Sequence, residues 1–237
     1  MSSLSVVIPV YNEEAIIKEN LATLIEYLDG LHLDKYEVLI CENGSTDSTP
    51  EIAANLAKEN KNIRIISVKK RGYGSAIRNG ILSAQLENVV AYPMDLCYDI
   101  KFIEKCLPLL ERHDAVFGVR YMSDCKNERP FIRTFISQTH TSLINLIFGT
   151  KFNDVDCLKA YKTPIGKKVM ALTRANDAFV EVEAAMIIRN SRIPYTEVAI
   201  SHVEKKHARH PSYFFKIVAY GLLAIIPNYL RLTKISV

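Results

Sequence analysis

The chain has 237 residues, 49% of them hydrophobic and 24% charged, with nine Gly and nine Pro, which excludes a disordered polymer and suits one sizeable core. Its five cysteines, at 41, 97, 106, 125 and 157, are odd in number and include no CxxC pair; neither a zinc site nor a disulfide framework is suggested, and a reducing cytoplasm is expected. A net charge of +4 with no basic stripe interleaved with aromatics speaks against a nucleic-acid partner.

The opening, MSSLSVVIPVYNEE, lacks a basic leader and holds only a short apolar run, so it reads as a first strand rather than a signal peptide. Short β-branched runs then alternate with helical patterns: LSVVIPV and a helix over 13–29, YEVLICE and 47–60, NIRIISV and 74–87, NVVAYPM and 100–112, then DAVFGV. This alternation predicts βαβ units and an α/β domain with a mostly parallel central sheet. Residues 130–148 form one helical pattern, and 152–204 mix short strands with a helix near 180–191. One domain is expected over 1–211, with an appended tail, 212–237. The tail's apolar run, 217–227, is too short to span a bilayer and reads as an amphipathic interfacial helix or as a terminal helix packed on the core. Because EKKHARH, 204–210, stands just ahead of it, a membrane surface or a phosphorylated ligand is the expected neighbour.

Ligands of such sheets gather at the carboxyl ends of the strands, so residues 11–13, 42–47, 70–74, 95–99 and Arg120 should share one crevice. ENGSTDST, 42–49, ends a strand and starts a helix; Thr46 or Asp47 can cap that helix while Glu42 points into the crevice. KKRGYGSAIRNG places Gly72 and Gly74 behind Lys69, Lys70 and Arg71, which suits either backbone approach to a phosphate or a turn that needs glycine for its own sake. AYPMDLCYDI ends a buried strand with Asp95 and Asp99, where an acid can hold a metal ion or cap the helix expected near Ile100.

Taken in order, these loops resemble the family 2 inverting glycosyltransferases of the dolichyl-phosphate mannose synthase and dolichyl-phosphate glucosyltransferase type. VVIPVYNEE resembles that family's donor-nucleotide loop, ENGSTDST its Asp-Asp-Gly-Ser-Thr-Asp motif with Glu42 and Asn43 in place of the acids, and RGYGSAIRNG its Gly-rich segment. GVRY, RTFIS, DVDCLKAY and VEVEAAMIIRNSRIPYTEVAI follow in the family's order, and HARHPS is similar to its basic stretch ending at a Ser. The resemblance implies a GT-A-like fold and a donor site of Pro9, Tyr11, Glu13, Glu42 and Asp47 with Lys70, Gly72 and Gly74. It also implies a lipid-phosphate site made by Arg120, Arg133 and Ser137, with Arg209 and Ser212 from the later basic motif. Asp154, Asp156, Glu181 and Glu183 fall in segments that line the sugar and acceptor side, Glu183 matching best.

The family's Asp-x-Asp motif is incomplete here. One register sets Pro93 on the first acid and Asp95 on the second; the other sets Asp95 on the first and Cys97 on the second. Asp95, with Asp99 as a second candidate ligand, is expected to hold Mg2+ or Mn2+ against the donor's diphosphate. The expected activity is transfer of a hexose from a nucleotide-diphosphate sugar to a polyprenyl or dolichyl phosphate by a cytoplasmic, peripherally membrane-associated enzyme, with Asp95, Arg120, Arg133 and Glu183 as its catalytic set. Two alternatives stay open: transfer to a glycan or glycolipid hydroxyl with Asp156, Glu181 or Glu183 as base, and a non-catalytic descendant that binds sugar nucleotide or lipid phosphate.

Overall fold

A computed structural model describes residues 2–68, 71–122, 125–126, 128–203 and 228–237. Lys70, Arg209, Ser212 and the apolar run 217–227 lie outside the described residues.

The elements follow the predicted alternation: β1 (Ser3–Val10), α1 (Ile17–Gly30), β2 (Lys35–Glu42), α2 (Thr49–Glu59), β3 (Ile63–Ser67), α3 (Tyr73–Ser83), β4 (Asn88–Ala91), α4 (Phe102–Arg112) and β5 (Ala115–Val119). After them come α5 (Phe131–Phe148), β6 (Leu158–Lys162), α6 (Thr163–Leu172), α7 (Val180–Asn190) and β7 (Tyr195–Ala199). One seven-stranded sheet results, in the order β3-β2-β1-β4-β6-β5-β7. β1 is parallel to β2 and β4, β2 to β3, and β5 to β7, while β6 is inserted antiparallel between β4 and β5. The mostly parallel sheet expected from the sequence is therefore present.

Strands of such a sheet are covered on both faces, which is why they read as unbroken apolar runs rather than as alternations. Along β1, Val7 joins a core with Ile77, Ile81, Val169 and Met186, whereas Val6 and Ile8 join the opposite core with Leu21, Leu24, Phe102 and Ile103. Gly80 of α3 is small for a packing reason: a Cβ there would stand 2.2 Å from Val7 Cγ1 and 2.6 Å from Cys41 Sγ.

The sheet also dictates where a ligand can enter. β1 stays paired with β2 as far as Val10–Glu42, but with β4 only as far as Val7–Ala91. Beyond that point β4 turns away, and the strand order reverses at the same place, which opens a crevice at the carboxyl ends of β1 and β4. Pro9 lies past the last β4 pair, where its missing N–H removes no ladder bond to that strand.

The tail is not wholly separate from the domain. Leu232 is fully buried in the α3–α6–α7 core, and Tyr229 stacks on Phe148 with ring centroids 5.5 Å apart. Asn190 of α7 donates to Leu232 O at 2.7 Å, and Ser191 Oγ accepts the Val237 N–H at 2.7 Å. For residues 228–237 the core-packing alternative is therefore what is seen. Among the described residues no helix is long and apolar enough to cross a membrane.

Gly80→Ala should lower unfolding free energy by about 1–3 kcal/mol, the usual penalty of overpacking a filled core, with the urea m-value unchanged. A shift of the urea midpoint reads this directly.

Candidate active site

The β1 and β2 loops are tied together chiefly by backbone N–H groups. The Asn12 N–H donates to Ser45 Oγ (3.1 Å), Thr46 N–H to Asn12 Oδ1 (2.8 Å) and Glu13 N–H to Thr49 Oγ1 (2.8 Å). Asn12 takes a left-handed φ of 54° at this junction. Asp47 accepts the Thr49 N–H at 3.0 Å and the Glu14 N–H at 3.2 Å, so it serves the start of α2 and the β1 loop together, with Ser48 in the N-cap position. Glu42 is half-buried, and one of its oxygens accepts the Ser45 N–H at 2.6 Å and closes its own turn. The Arg71 guanidinium lies 3.9 Å over the Tyr11 ring.

The Gly-rich segment joins the same cluster, since Asn43 Oδ1 accepts the Gly72 N–H at 2.8 Å. Its glycines already have an occupant beside them. A Cβ on Gly72, whose φ is 150°, would meet Asn176 O at 2.2 Å, and one on Gly74 would meet Ala175 O at 2.5 Å. Gly74 N–H donates to Asn176 O at 2.9 Å. Close packing on the 175–177 loop thus accounts for both glycines without a phosphate.

Glu183 holds that loop. It is almost fully buried, and its Oε2 accepts the N–H groups of Arg174 (2.7 Å) and Ala175 (2.9 Å) while Oε1 accepts from Arg231. Glu181 is engaged by Lys159 Nζ at 2.8 Å and by the Tyr73 hydroxyl at 3.4 Å. These two of the four acids expected on the sugar and acceptor side are committed to protein partners.

At the end of β4, Asp95 is half-buried and accepts the Cys97 N–H at 3.1 Å across Leu96, which has a left-handed φ of 48°. Asp95 does not cap α4. Nor does Asp99, which accepts the N–H of the N-cap residue Lys101 at 3.0 Å, ahead of the helix, and lies 3.8 Å from Lys105 Nζ. Among the described residues no group of three or more His, Cys, Asp or Glu is placed to hold a metal ion. A hard divalent ion fits this site through Asp95, with Asp99 as a second candidate ligand and the remaining oxygens drawn from a ligand diphosphate and water.

The opposite wall is cationic. At the end of β5, buried Arg120 grips fully buried Asp154 through Nε and Nη2, both at 2.7 Å, and donates from Nη2 to Ser137 Oγ at 3.0 Å. Burial alone would weaken the guanidinium's charge, but Asp154 outweighs it and raises the Arg120 pKa. Arg129, Arg133 and His202 are buried beside this pair. Burial and the fields of Arg129, Arg120 and Arg133, in that order, push His202 down to about 4, so its ring is neutral near pH 7. Three arginines thus act on one buried histidine. Arg120, Arg133 and Ser137 are brought together as expected; Arg129 and His202 were not anticipated, and neither was His140, whose Nδ1 lies 3.0 Å from Asp156 Oδ2.

The outer side of α5, away from buried Arg133, Ser137 and His140, carries exposed apolar residues. Phe131 is 82% exposed and Phe135 57%, their rings stacked at 6.3 Å, with Ile132, Leu146 and Ile147 also exposed.

The family model described as Glycosyl transferase family 2 matches residues 5–170. The glycosyltransferase AglD of Haloferax volcanii is 32% identical over 197 residues, covering 80% of this chain and 31% of that protein. A dolichyl-phosphate beta-glucosyltransferase of Drosophila melanogaster is 27% identical over 85% of this chain and 67% of its own length. An undecaprenyl-phosphate 4-deoxy-4-formamido-L-arabinose transferase of Proteus mirabilis is 26% identical over 95% of this chain and 68% of its own. The chain therefore spans under a third of the first relative and about two thirds of the others. Among solved structures, glucosyl-3-phosphoglycerate synthase from Mycobacterium tuberculosis, in complex with Mn2+, uridine diphosphate and phosphoglyceric acid, superimposes with a TM-score of 0.70 over 99% of this chain and 79% of that one. At 21% identity it shows the shared fold, the GT-A-like arrangement expected from the sequence.

Asp154→Asn should cost about 3–5 kcal/mol of stability, because it leaves the Arg120 charge buried without its counter-charge. Guanidinium denaturation of the folded variant is the check, and a change below about 1 kcal/mol would mean that Arg120 is already compensated by other groups.

Proposed function

Since the chain is an enzyme of glycosyl transferase family 2, we propose that it moves a hexose, with inversion, from a nucleotide-diphosphate sugar to a polyprenyl or dolichyl phosphate at the cytoplasmic face of a membrane. The observation that carries this reading is the convergence of Arg120, Arg129 and Arg133 on neutral His202, with Arg133 supplied by α5, the helix whose outer face exposes Phe131, Ile132 and Phe135. Phosphate next to alkyl chain is the chemistry of a lipid phosphate. The names of the relatives, which include dolichyl-phosphate and undecaprenyl-phosphate transferases, point the same way.

A phosphate monoester has a second pKa of about 6 and is largely ionised near neutrality, so it needs positioning rather than a base. One of its oxygens attacks the anomeric carbon as the bond from that carbon to the donor diphosphate breaks; the electron pair leaves with the diphosphate and the configuration inverts. Planar guanidinium groups suit the grip, being fixed donors that match phosphate bidentately. Ser137 Oγ, already accepting from Arg120, has a hydroxyl proton to offer the same ligand. Arg209 and Ser212 remain proposed partners for it.

On the donor side, Pro9, Tyr11, Glu13, Glu42 and Asp47 shape a nucleoside pocket, with Lys70, Gly72 and Gly74 in its wall. Asp95 is the residue that would hold Mg2+ or Mn2+, which when bound supplies charge neutralisation to the departing diphosphate. Glu183 contributes by fixing the loop behind the Gly-rich segment rather than by touching substrate. The commitments of Glu181 and Glu183 also weigh against the hydroxyl-acceptor alternative, which would have to rely on Asp156 as its base.

The direct test incubates purified protein with GDP-mannose or UDP-glucose, farnesyl phosphate, and Mg2+ or Mn2+, and looks for glycosyl farnesyl phosphate by mass spectrometry. Absence of product with every donor, from folded protein, would overturn the proposal. Asp95→Ala should lower kcat roughly a hundredfold, the usual value of one well-placed contact to developing charge; survival of full turnover in EDTA would remove the metal from the scheme. Replacing Phe131 and Phe135 together by Ser should reduce co-sedimentation with anionic vesicles while nucleotide binding is retained. Equal co-sedimentation of the two proteins would detach α5 from the membrane.

A further inference from the structure

His140 and Asp156 lie next to the acceptor cluster yet have no part in the scheme above. The buried side of α5 carries Arg133, Ser137, His140, Thr141 and Ile144, so His140 lies one turn beyond Ser137 on the same face. The 154–156 segment lies against this face: Asp154 grips Arg120, Asp156 N–H donates to Asp154 Oδ1 at 3.2 Å, and Asp156 Oδ2 meets His140 Nδ1 at 3.0 Å. His140 is only 5% exposed, and its Nε2 has no hydrogen-bond partner among the described residues. The Asp156 side chain, in contrast, keeps 32% of its surface open. A buried imidazole thus stands behind an accessible carboxylate, two residues from the counter-ion of Arg120.

Resting on the lipid-phosphate reading, we propose that His140 and Asp156 are a proton-carrying pair that sets the charge met by the acceptor phosphate. With a proton on His140, Asp156 is compensated and the pocket keeps its net positive field. When that proton leaves, Asp156 loses its nearest counter-charge, keeping only the more distant fields of Arg120 and Lys159, and repels the phosphate. His140 is therefore a positioning residue that never touches substrate.

The charges around the pair agree. Facing His140 are Asp156, Asp154 and Arg120; burial and Arg120 disfavour the imidazolium, but the Asp156 hydrogen bond and the two carboxylates outweigh them, so its pKa lies above the ordinary 6.5. Asp156 moves the opposite way: burial would raise it, yet the His140 hydrogen bond and charge, with the fields of Arg120 and Lys159 behind them, hold it below the usual carboxylate range. The charged pair is thus complete below the raised histidine value and is broken as pH rises through it. Meanwhile the acceptor, with its pKa of about 6, is already a dianion, so its own ionisation does not cause the loss.

The test is farnesyl phosphate binding to the full chain in detergent micelles, by isothermal titration calorimetry from about pH 6.5 to about pH 9. Wild type should weaken by on the order of tenfold across that range, as one nearby unit charge goes uncompensated. His140→Gln should bind weakly at every pH, Asp156→Asn tightly at every pH, and the double variant should recover the affinity of Asp156→Asn. That recovery separates charge compensation from a packing role, which the second substitution would not restore. A pH-independent wild type, or a double variant as weak as His140→Gln, would overturn the inference. No farnesyl phosphate binding by folded wild type at any pH would instead overturn the lipid-phosphate reading on which it rests.

Discussion

A guanidinium and a carboxylate withdrawn from water at the end of β5 organise one half of this protein. Arg120 and Asp154 are each almost fully buried, and the two parallel contacts between them at 2.7 Å leave little freedom to either chain segment. A buried pair of this kind adds modestly to net stability because desolvation offsets most of the attraction, but it is strongly directional. It fixes the 154–156 segment against α5, and Ser137, Arg133 and His140 take their places relative to it. The electropositive pocket follows from one pairing that sets where the surrounding charges stand.

The half that holds the loops after β1 and β2 is built on another principle. Its loops are stitched by backbone N–H groups to Asn12, Ser45, Asp47 and Thr49, and no buried ion pair is needed. The two halves meet at the 175–177 loop, on which Gly72 and Gly74 pack and which Glu183 holds from behind. Arg231 ties Glu183 to the C-terminal residues and also donates to Leu172 O at 2.7 Å. A second link runs from Lys159 in β6 through Glu181 to Tyr73 at the head of α3. Side chains that resemble catalytic acids by position therefore act as fasteners between the Gly-rich segment and the rest of the domain.

Much of the sheet was legible because burial on both faces leaves an apolar run that few other structures tolerate; LSVVIPV, YEVLICE and NVVAYPM all lie where expected. The loops at their ends were legible for the same reason, since topology alone places them on one edge. What the sequence concealed were partnerships across long separations. Nothing near Glu183 says that Arg231 will pair with it, and nothing near His140 announces Asp156. Arg129 precedes a proline, and only the start of α5 at Phe131 turns it toward Arg120. The role of the glycines at 72 and 74 was misleading for a related reason: a requirement for a bare backbone looks the same whether a phosphate or another loop stands opposite.

The contrast between the halves bears on how each would respond to its surroundings. Charges held in the protein interior are screened little by salt, whereas exposed ones lose most of their reach beyond about 10 Å at 0.1 M. Arg120, Arg129 and Arg133 are all buried, so their field on an incoming phosphate is a property of the fold and changes mainly through neighbours that gain or lose protons. Arg71, exposed on the Tyr11 ring, belongs to the other regime. On the proposed reading, the acceptor pocket keeps its selectivity at the ionic strength of a membrane surface, while attraction of the nucleotide through exposed cations is tuned by salt. The positions of the arginines, rather than their number, make that difference.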